Sequence, residues 1–362
     1  MTTKPLKYSE IMPKVAIEKL KLIGIDDLVC LISKDLESIS SALLESPYRE
    51  EVSSLSKDKV NSLSLEKALL TNYVKTIESL IKASVGDIRS LLEVLLKKFE
   101  VSNVKTMLRA VKAKMEVDEA MNHIVPVGAL NEKSCRAILA RSKSIEDLAD
   151  SLSNLEYGLA LKNVLIESKE TSDLLHLEIH LDKVAYAGIL NSIENLKGLD
   201  KTIARNILGI EIDAVNIKII LRCKRLGISP DQIKEYLMPS SLLDEKTLEN
   251  AIEAEDVKSM TEYLLTADAT AKNHFYQITL RHVLKEHDAP LSRLEMILDK
   301  ASLKISLLTL KKYTHYYNIG FILAFLNLKW FEIKNLRTII KGSETKSPPS
   351  HVSQHLTLPD EW

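Results

Sequence analysis

The sequence contains few of the residues that mark β-sheets, tight turns or disulfide frameworks. Its 362 residues include 10 Gly, 10 Pro, 3 Cys and 5% aromatic residues. Helices are favoured by this scarcity and by abundant Leu, Ile, Lys, Glu and Ala, because straight-chain side chains lose little freedom in a helix. We therefore predict an all-α protein, and its length allows two or three units with their own cores.

The three cysteines form no recognisable pair. Cys30, Cys135 and Cys223 are far apart and include no CxxC, a pattern that favours reduced thiols at small core positions of a cytosolic protein. The start of the chain lacks the apolar segment of a signal peptide. The longest apolar run, residues 319–328, is about half the length that a membrane span needs. We expect a protein that does not cross a membrane by itself.

Neither charge sign is in excess. A net charge of −1 and a pI of about 6.8 give no global field that would attract nucleic acid or an anionic membrane. The densest basic stretch, residues 97–114, has few aromatics and indicates a surface helix. No phosphate-binding glycine loop, nucleophile elbow or Cys–His signature occurs. We therefore predict no catalytic residue, no cofactor, no small-molecule substrate and no nucleic-acid partner.

Two histidine pairs have the spacing of metal ligands on a helix. His176 and His180 would share one face, but no third ligand lies nearby in sequence, and the same holds for His351 and His355. Partly solvated histidines are the favoured interpretation. We predict no metal site.

A polar pattern recurs three times, about every 115 residues. An acid, an asparagine and two bases stand at offsets 0, 3, 5 and 9: Glu100, Asn103, Lys105 and Arg109; Asp213, Asn216, Lys218 and Arg222; Glu332, Asn335, Arg337 and Lys341. The residues at offsets 4, 7 and 8 are always apolar, which is helical periodicity.

Each copy is wider than one helix. A Leu-Glu pair followed by a further Leu opens each copy, and its glutamate lies 34 to 37 residues before the acid: Glu66, Glu178 and Glu295. A proline follows the asparagine by 23 or 24 residues: Pro126, Pro239 and Pro359. We predict units at residues 1–150, 151–270 and 271–362, the last with a weakly ordered tail that is rich in Ser, Pro and Lys. The repeat is too long for a stacked solenoid, and a ring and a row both remain open.

Helical geometry divides the pattern into two halves. The acid lies on the core-facing stripe and the asparagine at its edge, while both bases point away. Buried carboxylates need partners, so we predict that the acids and asparagines are structural anchors: Glu100, Asn103, Asp213, Asn216, Glu332 and Asn335. The alternative is that these acids are catalytic or carry protons, but no His, Cys or second acid is repeated beside them. The favoured interpretation is that the bases form a solvated face of the helix. If a partner binds this pattern, we expect it to contact the bases.

The third copy resembles a known signature. Residues 315–342, HYYNIGFILAFLNLKWFEIKNLRTIIKG, resemble the end of the C subunit of archaeal-type and bacterial V-type ATP synthases, which is called the d subunit in eukaryotic V-ATPases. Tyr316, Tyr317 and Asn318 replace a Pro-Phe-Ser, and Trp330 stands where an acid is usual. Residues 209–239 and 46–52 agree as well, so the resemblance covers nearly the whole chain. The matching positions are His315, Ile319, Gly320, Ala324, Leu326, Lys329, Glu332, Asn335, Leu336 and Arg337.

The resemblance implies both a fold and a role. The expected fold has three similar helical units around a pseudo-threefold axis, forming a funnel. The expected role is that of a non-catalytic central-rotor subunit on the cytoplasmic side of the membrane. It would join the central-shaft subunits to the membrane rotor ring and transmit torque between ATP chemistry and H⁺ or Na⁺ translocation. Two other hypotheses compete: a cytosolic helical adaptor unrelated to ATPases, and an all-α enzyme with an unrecognised site.

Overall fold

The computed structural model describes residues 7–55, 60–167, 173–271, 273–313 and 317–359. These residues are mostly helical and contain no β-strand, only one isolated bridge between Val127 and Leu130. The prediction of an all-α protein is confirmed. The chain divides into two compact units, Met1–Ser192 with Glu332–Leu356 and Ile193–Phe331 with Thr357–Trp362. The predicted three-part division of the sequence repeat stays a prediction.

Unit 1 holds the first copy of the pattern. Polar caps begin several of its helices: Asn61 and Ser144 each form a reciprocal capping box, and Asp35 and Asn131 each accept a hydrogen bond from a first-turn amide. The helices that begin in this unit are α1 (Ile11–Leu20), α2 (Ile25–Cys30), α3 (Leu36–Leu44), α4 (Arg49–Ser53), α5 (Ser62–Lys82), α6 (Gly86–Lys112), α7 (Val117–Asn122), α8 (Glu132–Arg141), α9 (Ile145–Ser151), α10 (Glu156–Glu167) and α11 (Leu174–Asn195).

Unit 2 holds the acid, the asparagine and the bases of the second copy. Its caps include Ser229, Asp244 and Asp256, each of which accepts a hydrogen bond from a first-turn amide. Its helices are α12 (Gly198–Ala204), a π turn (Arg205–Gly209), α13 (Ile210–Leu226), α14 (Pro230–Tyr236), α15 (Glu245–Glu253), α16 (Val257–Thr266), α17 (Asp268–Ala271), α18 (His274–Lys285) and α19 (Leu291–Tyr313).

The acid, the asparagine and the bases of the third copy lie on the last long helix. This helix, α20 (Ile319–Glu344), belongs to unit 2 as far as Phe331 and to unit 1 from Glu332 onwards, and α21 (Pro349–Gln354) follows. In all three copies the residues at offsets 4, 7 and 8 are at most 2% exposed. They are Val104, Met107 and Leu108; Ile217, Ile220 and Leu221; Leu336, Ile339 and Ile340.

The π turn in unit 2 accounts for one extra residue. Gly86 and Gly198 both start a helix with φ of +56°. Glu100 follows Gly86 by 14 residues, whereas Asp213 follows Gly198 by 15. A π turn closes its hydrogen bond over one residue more than an α turn and so absorbs a single-residue insertion. As a result, Asp213 and the residues after it keep the core-facing register of the first copy.

Two expectations differ from the structure. Cys30 is exposed at the end of α2, whereas Cys135 and Cys223 are buried, so only the latter two are core thiols. The tail that was expected to be weakly ordered contains the end of α20 and all of α21. Its Val352 and Leu356 are each 3% exposed, and this burial supplies a packing energy that Ser-, Pro- and Lys-rich composition does not reveal. Within the described ranges, no helix has the length and apolar content needed to cross a membrane.

Candidate functional site: three acid–tyrosine clusters

The first cluster consists of Glu100, Asn103 and Tyr157 in unit 1. Glu100, 8% exposed, accepts a 2.9 Å hydrogen bond from the amide of Ala129. The Asn103 side chain donates to the carbonyl of Val125 at 2.6 Å and accepts from its amide at 3.1 Å. A single helix therefore holds the loop after α7 at two points through side chains one turn apart.

A glycine makes this close approach feasible. Gly128 has φ of +53°, and a Cβ at this position would clash with the Glu100 carboxylate. Only glycine combines a left-handed backbone with the missing side chain at low free energy. Glu100 can thus bind the backbone of the loop directly.

The second cluster, in unit 2, consists of Asp213, Asn216 and Tyr276. Asp213 is fully buried and accepts hydrogen bonds from the amides of Ser241 (3.0 Å) and Leu242 (2.9 Å) and from the Tyr276 hydroxyl (2.7 Å). Asn216 binds the backbone of Met238, at 3.0 Å through its amide group and 2.8 Å through its oxygen. The residue that the asparagine binds directly precedes a proline in this copy, as it does in the first.

In the second copy, the glycine that lets the loop approach closely precedes the acid helix and is not part of the loop. A Cβ on Gly209, the last residue of the π turn, would clash with the Ser241 hydroxyl. In the first copy the glycine belongs to the loop. Both arrangements remove one side chain from the contact between acid helix and loop, so the same cluster is reached by two different sequences.

The third cluster, in unit 1, consists of Glu332, Asn335 and Tyr48. Glu332 is 5% and Asn335 3% exposed. The Tyr48 hydroxyl donates to one carboxylate oxygen of Glu332 at 2.6 Å, and the amide of Ile23 donates to the other at 2.5 Å. These donors lie 284 and 309 residues away in sequence. The third acid is therefore bound by the beginning of the chain.

A tyrosine beside each acid was missed by the sequence analysis. Tyr48, Tyr157 and Tyr276 are 0%, 3% and 2% exposed. They lie 17 to 20 residues before the leucines that open the copies, Leu65, Leu177 and Leu294, and this spacing is the signal that could have revealed them. In the first cluster, burial and the negative charge of the Glu100 carboxylate raise the pKa of the Tyr157 hydroxyl.

Burial dominates the electrostatics of these clusters. It raises the pKa of Glu100 and of Asp213, although the amide and hydroxyl donors favour the charged carboxylates. Burial also raises the pKa of Tyr48 and Tyr276 well above the ordinary range, and the neighbouring carboxylate adds to the effect. Tyr48 and Tyr276 are therefore neutral at physiological pH, as donation of a hydrogen bond to a carboxylate requires.

The second cluster leaves little room for a ligand. A cavity beside the second cluster, lined by Ala214, Phe275, Tyr276 and other residues of unit 2, has a volume of about 10 Å³, comparable to a single water. Among the described residues, no group of three His, Cys, Asp or Glu side chains could hold a metal ion. The rings of His176 and His180 are 6.0 Å apart, and those of His351 and His355 are 4.5 Å apart.

The repeated bases bind acids of this chain. Lys105 lies 2.8 Å from Asp182, and Arg109 forms two hydrogen bonds to Glu178, of 2.7 and 2.6 Å. In unit 2, Lys218 and Arg222 bind two acids at the same spacing, Asp299 and Glu295, each at 2.5 Å.

The third copy follows the same rule with one change. Arg337 binds Glu66 at 3.0 Å, whereas Lys341 binds Glu344 within its own helix. The opening glutamates Glu66, Glu178 and Glu295 thus each bind a base of another copy. First-copy bases bind the second opening helix, second-copy bases the third, and Arg337 of the third copy binds the first. The expectation that the bases contact a partner stays a prediction. In the structure, these bases form ion pairs with acids of the same chain.

Comparison with known proteins identifies the family. The family model of the ATP synthase (C/AC39) subunit matches residues 14–355. The chain belongs to the ATP synthase (C/AC39) subunit family. This confirms the resemblance found in the sequence.

Three relatives of this chain carry matching names. The C subunit of the A-type ATP synthase of Methanosphaera stadtmanae is 27% identical over 296 residues, 81% of this chain and 74% of that protein. The protein of the same name from Methanothermobacter thermautotrophicus is 28% identical over 288 residues, 78% of this chain and 72% of that protein. That from Pyrococcus horikoshii is 27% identical over 291 residues, 80% of this chain and 74% of that protein.

In this member of the C/AC39 family, the closing signature contains the acid of the third cluster. Its Asn318, which replaces a serine, is 1% exposed and accepts a 2.8 Å hydrogen bond from the amide of Gly320 at the start of α20. Asparagine and serine both cap helices well, so the replacement keeps this function. His315 and Tyr316 at the start of the signature lie outside the described residues.

Proposed function

We propose that this member of the C/AC39 family is a non-catalytic central-rotor subunit of an A-type or V-type rotary ATPase. It would couple the central-shaft subunits to the membrane rotor ring, so that torque links ATP synthesis or hydrolysis to H⁺ or Na⁺ translocation. Its place would be peripheral, on the cytoplasmic side of the membrane. The observation that carries the proposal is the family match over residues 14–355, nearly the entire chain.

The clusters support a mechanical role. A protein that transmits torque must keep its helices from sliding past one another under load. Buried carboxylates and asparagines with geometrically defined partners penalise sliding, because every shifted register leaves a buried polar group without its partner. Asp213, for example, is matched to the amides of Ser241 and Leu242 and to one tyrosine. This pattern of partners supports a stiff linker more than a pocket for chemistry.

The pairing order supports the funnel as the arrangement of the three copies. In an open row, the third copy would have no following copy to bind. Here Arg337 binds Glu66 of the first opening helix, and Glu332 binds Tyr48 ahead of it. We therefore propose that the copies close around a pseudo-threefold axis, as the family resemblance implies.

Reconstitution tests the proposed role. The protein would be co-expressed with the rotor ring and the shaft subunits of the same rotary ATPase, and each complex would be purified through a tag on the ring. We expect the shaft subunits to remain bound to the ring only when this protein is present. In vesicles, ATP-driven ion uptake should likewise require it.

Two controls separate this role from its alternatives. The isolated protein should hydrolyse no ATP at any concentration tested, since the role is non-catalytic. If the ring and shaft assemble and pump without this protein, the rotor proposal is wrong. Binding to neither of them would favour the helical adaptor.

A further inference from the structure

Helices α1 and α2, residues 11–30 and here called the strap, are thinly packed. The ten residues of α1 bury Ile11 and Val15, and the six residues of α2 bury Leu28. Several apolar side chains of the strap are instead exposed, among them Ile17 (57%) and Leu20 (86%). Segments with few buried apolar contacts open at a lower free energy than the core around them.

The turn between these helices reaches the third cluster. The Ile23 amide donates its 2.5 Å hydrogen bond to Glu332 from this turn, and Lys14 binds the carbonyl of Ser79 at 2.9 Å. The strap thus covers the acid with one backbone amide and attaches to α5 through a partly buried lysine.

The segment after the strap is held more firmly. The Asn72 side chain on α5 donates to the carbonyl of Pro47 at 3.0 Å and to the carboxylate of Glu51 at 2.8 Å. Glu51 is 5% exposed and also binds Lys75 at 2.9 Å. Tyr48 lies between these contacts and is fully buried. Tyr48 therefore binds Glu332 from a well-anchored segment, whereas Ile23 binds it from the thinly packed strap.

We propose that the strap opens and closes as a unit over Glu332 while Tyr48 and the rest of unit 1 stay in place. Closing buries the carboxylate beneath the Ile23 amide, and opening removes this donor and admits water. The strap thereby switches the third acid between a buried and a solvated state. The first two acids differ, since Ala129 and Ser241 bind them from loops that lie one short helix further along the chain, after α7 and α14. This device does not depend on the rotor role.

Hydrogen exchange of the unmodified, full-length protein at increasing urea concentrations tests the proposal directly. We expect the hydrogen-bonded amides of the strap, residues 11–30 with Ile23 included, to exchange through one common opening with a weak urea dependence, because little surface is exposed. The hydrogen-bonded amides of Ser241 and Leu242 should exchange through larger openings with a stronger urea dependence. If the strap amides exchange only with global unfolding, the proposal is wrong.

Carboxyl labelling with carbodiimide and glycine ethyl ester, read by mass spectrometry, tests the effect on the acid. Leu28→Ala removes the buried side chain of α2 and should raise the labelling rate of Glu332 at least about tenfold, given the usual effect of a core leucine-to-alanine change. Leu20→Ala, at a position 86% exposed, is the matched control and should label like the wild type. Asp213 serves as the internal reference and should not change.

Two results would contradict the proposed opening of the strap. Equal acceleration at Glu332 and Asp213 in Leu28→Ala would mean that the whole protein loosens together. An unchanged labelling rate at Glu332 would mean that α2 does not control access to it. Should Leu28→Ala fail to fold, the exchange measurement on the unmodified protein still decides.

Discussion

The Tyr276 hydroxyl donates a 2.7 Å hydrogen bond to the Asp213 carboxylate, and both side chains are almost entirely buried. Tyr276 lies 63 residues after Asp213, in the helix that precedes the next opening helix. Tyr48 binds Glu332 in the same manner, although it lies near the other end of the chain. The acid of one copy is therefore held by a tyrosine that leads into another copy.

Removal of the hydroxyl should weaken the second cluster. In Tyr276→Phe the carboxylate keeps its amide donors but loses the hydroxyl. We expect the free energy of unfolding to fall by about 1.5–3 kcal/mol, the usual range for a hydrogen bond to a charged group. Urea unfolding followed by circular dichroism measures this. Tyr317→Phe, at a position 59% exposed, should stay within about 0.5 kcal/mol of the wild type, and equal losses would contradict the prediction.

The second cluster should also respond to pH. Burial raises the pKa of Asp213 above its ordinary 3.8, so the folded protein holds this proton more tightly than the unfolded chain. The stabilising contribution is complete below the unfolded pKa and is lost as the pH rises through the folded pKa.

Asp213→Asn lacks this titration, whereas all other carboxylates remain. The free energy of unfolding of the wild type minus that of the variant should fall as the pH rises from about 4, the unfolded pKa of aspartate, and level off above the folded pKa. Urea unfolding at a series of pH values up to 7 tests the sign. A difference that increases with pH would show that the hydrogen bonds lower the pKa of Asp213 by more than burial raises it.

Removal of the acid of the second copy should destabilise the protein more than removal of a base of the same copy. Asp213→Ala leaves the loop amides of residues 241–243 and the Tyr276 hydroxyl without an acceptor. We expect a loss of about 3–5 kcal/mol, as for a broken buried polar cluster. Lys218→Ala, at a partly exposed position, should lose about 1 kcal/mol or less. In the proposed rotor, ATP-driven ion pumping should decline more in Asp213→Ala. Unchanged unfolding and pumping in that variant would refute the anchor role.

The ion pairs between the repeated bases and the opening glutamates should be weak and sensitive to salt. Arg222 is 54% exposed and Glu295 21%, although two hydrogen bonds join them. A double-mutant cycle with Arg222→Ala and Glu295→Ala should give a coupling of about 0.2–1 kcal/mol. The coupling should shrink when the ionic strength rises from about 0.05 to about 1 M, because salt screens exposed charges. A large coupling that salt does not change would assign these pairs to the core.

The π turn should tolerate loss of one residue. Deletion of the exposed Asn206 should convert the turn to an α turn and keep Asp213 in register. The matched control is deletion of Glu93, which stands at the same distance before Glu100 in an uninterrupted helix. That deletion rotates one half of α6 by about 100° relative to the other. Thermal unfolding should show a much larger loss for the second deletion; equal losses would argue against an inserted residue.

The sequence predicted the members of each cluster to different degrees. Glu100, Asp213 and Glu332 recur on an apolar stripe, and the structure buries all three. Their tyrosines escaped detection because Tyr157 and Tyr276 follow the acids at unequal distances, and Tyr48 precedes its acid. Helical periodicity relates residues within one helix and carries no information on the next helix to pack against it.

The sequence likewise predicted only part of the arrangement of the bases. Their offsets predicted a face directed away from the apolar stripe, and Arg109 and Arg222 are indeed exposed. The opening glutamates were visible as a second repeat, but nothing in their spacing linked them to these bases. Only the packing of the opening helices alongside the acid helices brings the two repeats together.

By itself, the sequence determined the helical class, the threefold repeat and the family, because composition, periodicity and motif are local properties of a chain. The tertiary structure alone decided that Glu332 is bound by Tyr48 and Ile23, and Arg337 by Glu66. These contacts join residues 271 to 309 positions apart. Such pairs form when packing of many apolar side chains brings distant helices together, and no local preference of either residue encodes the meeting.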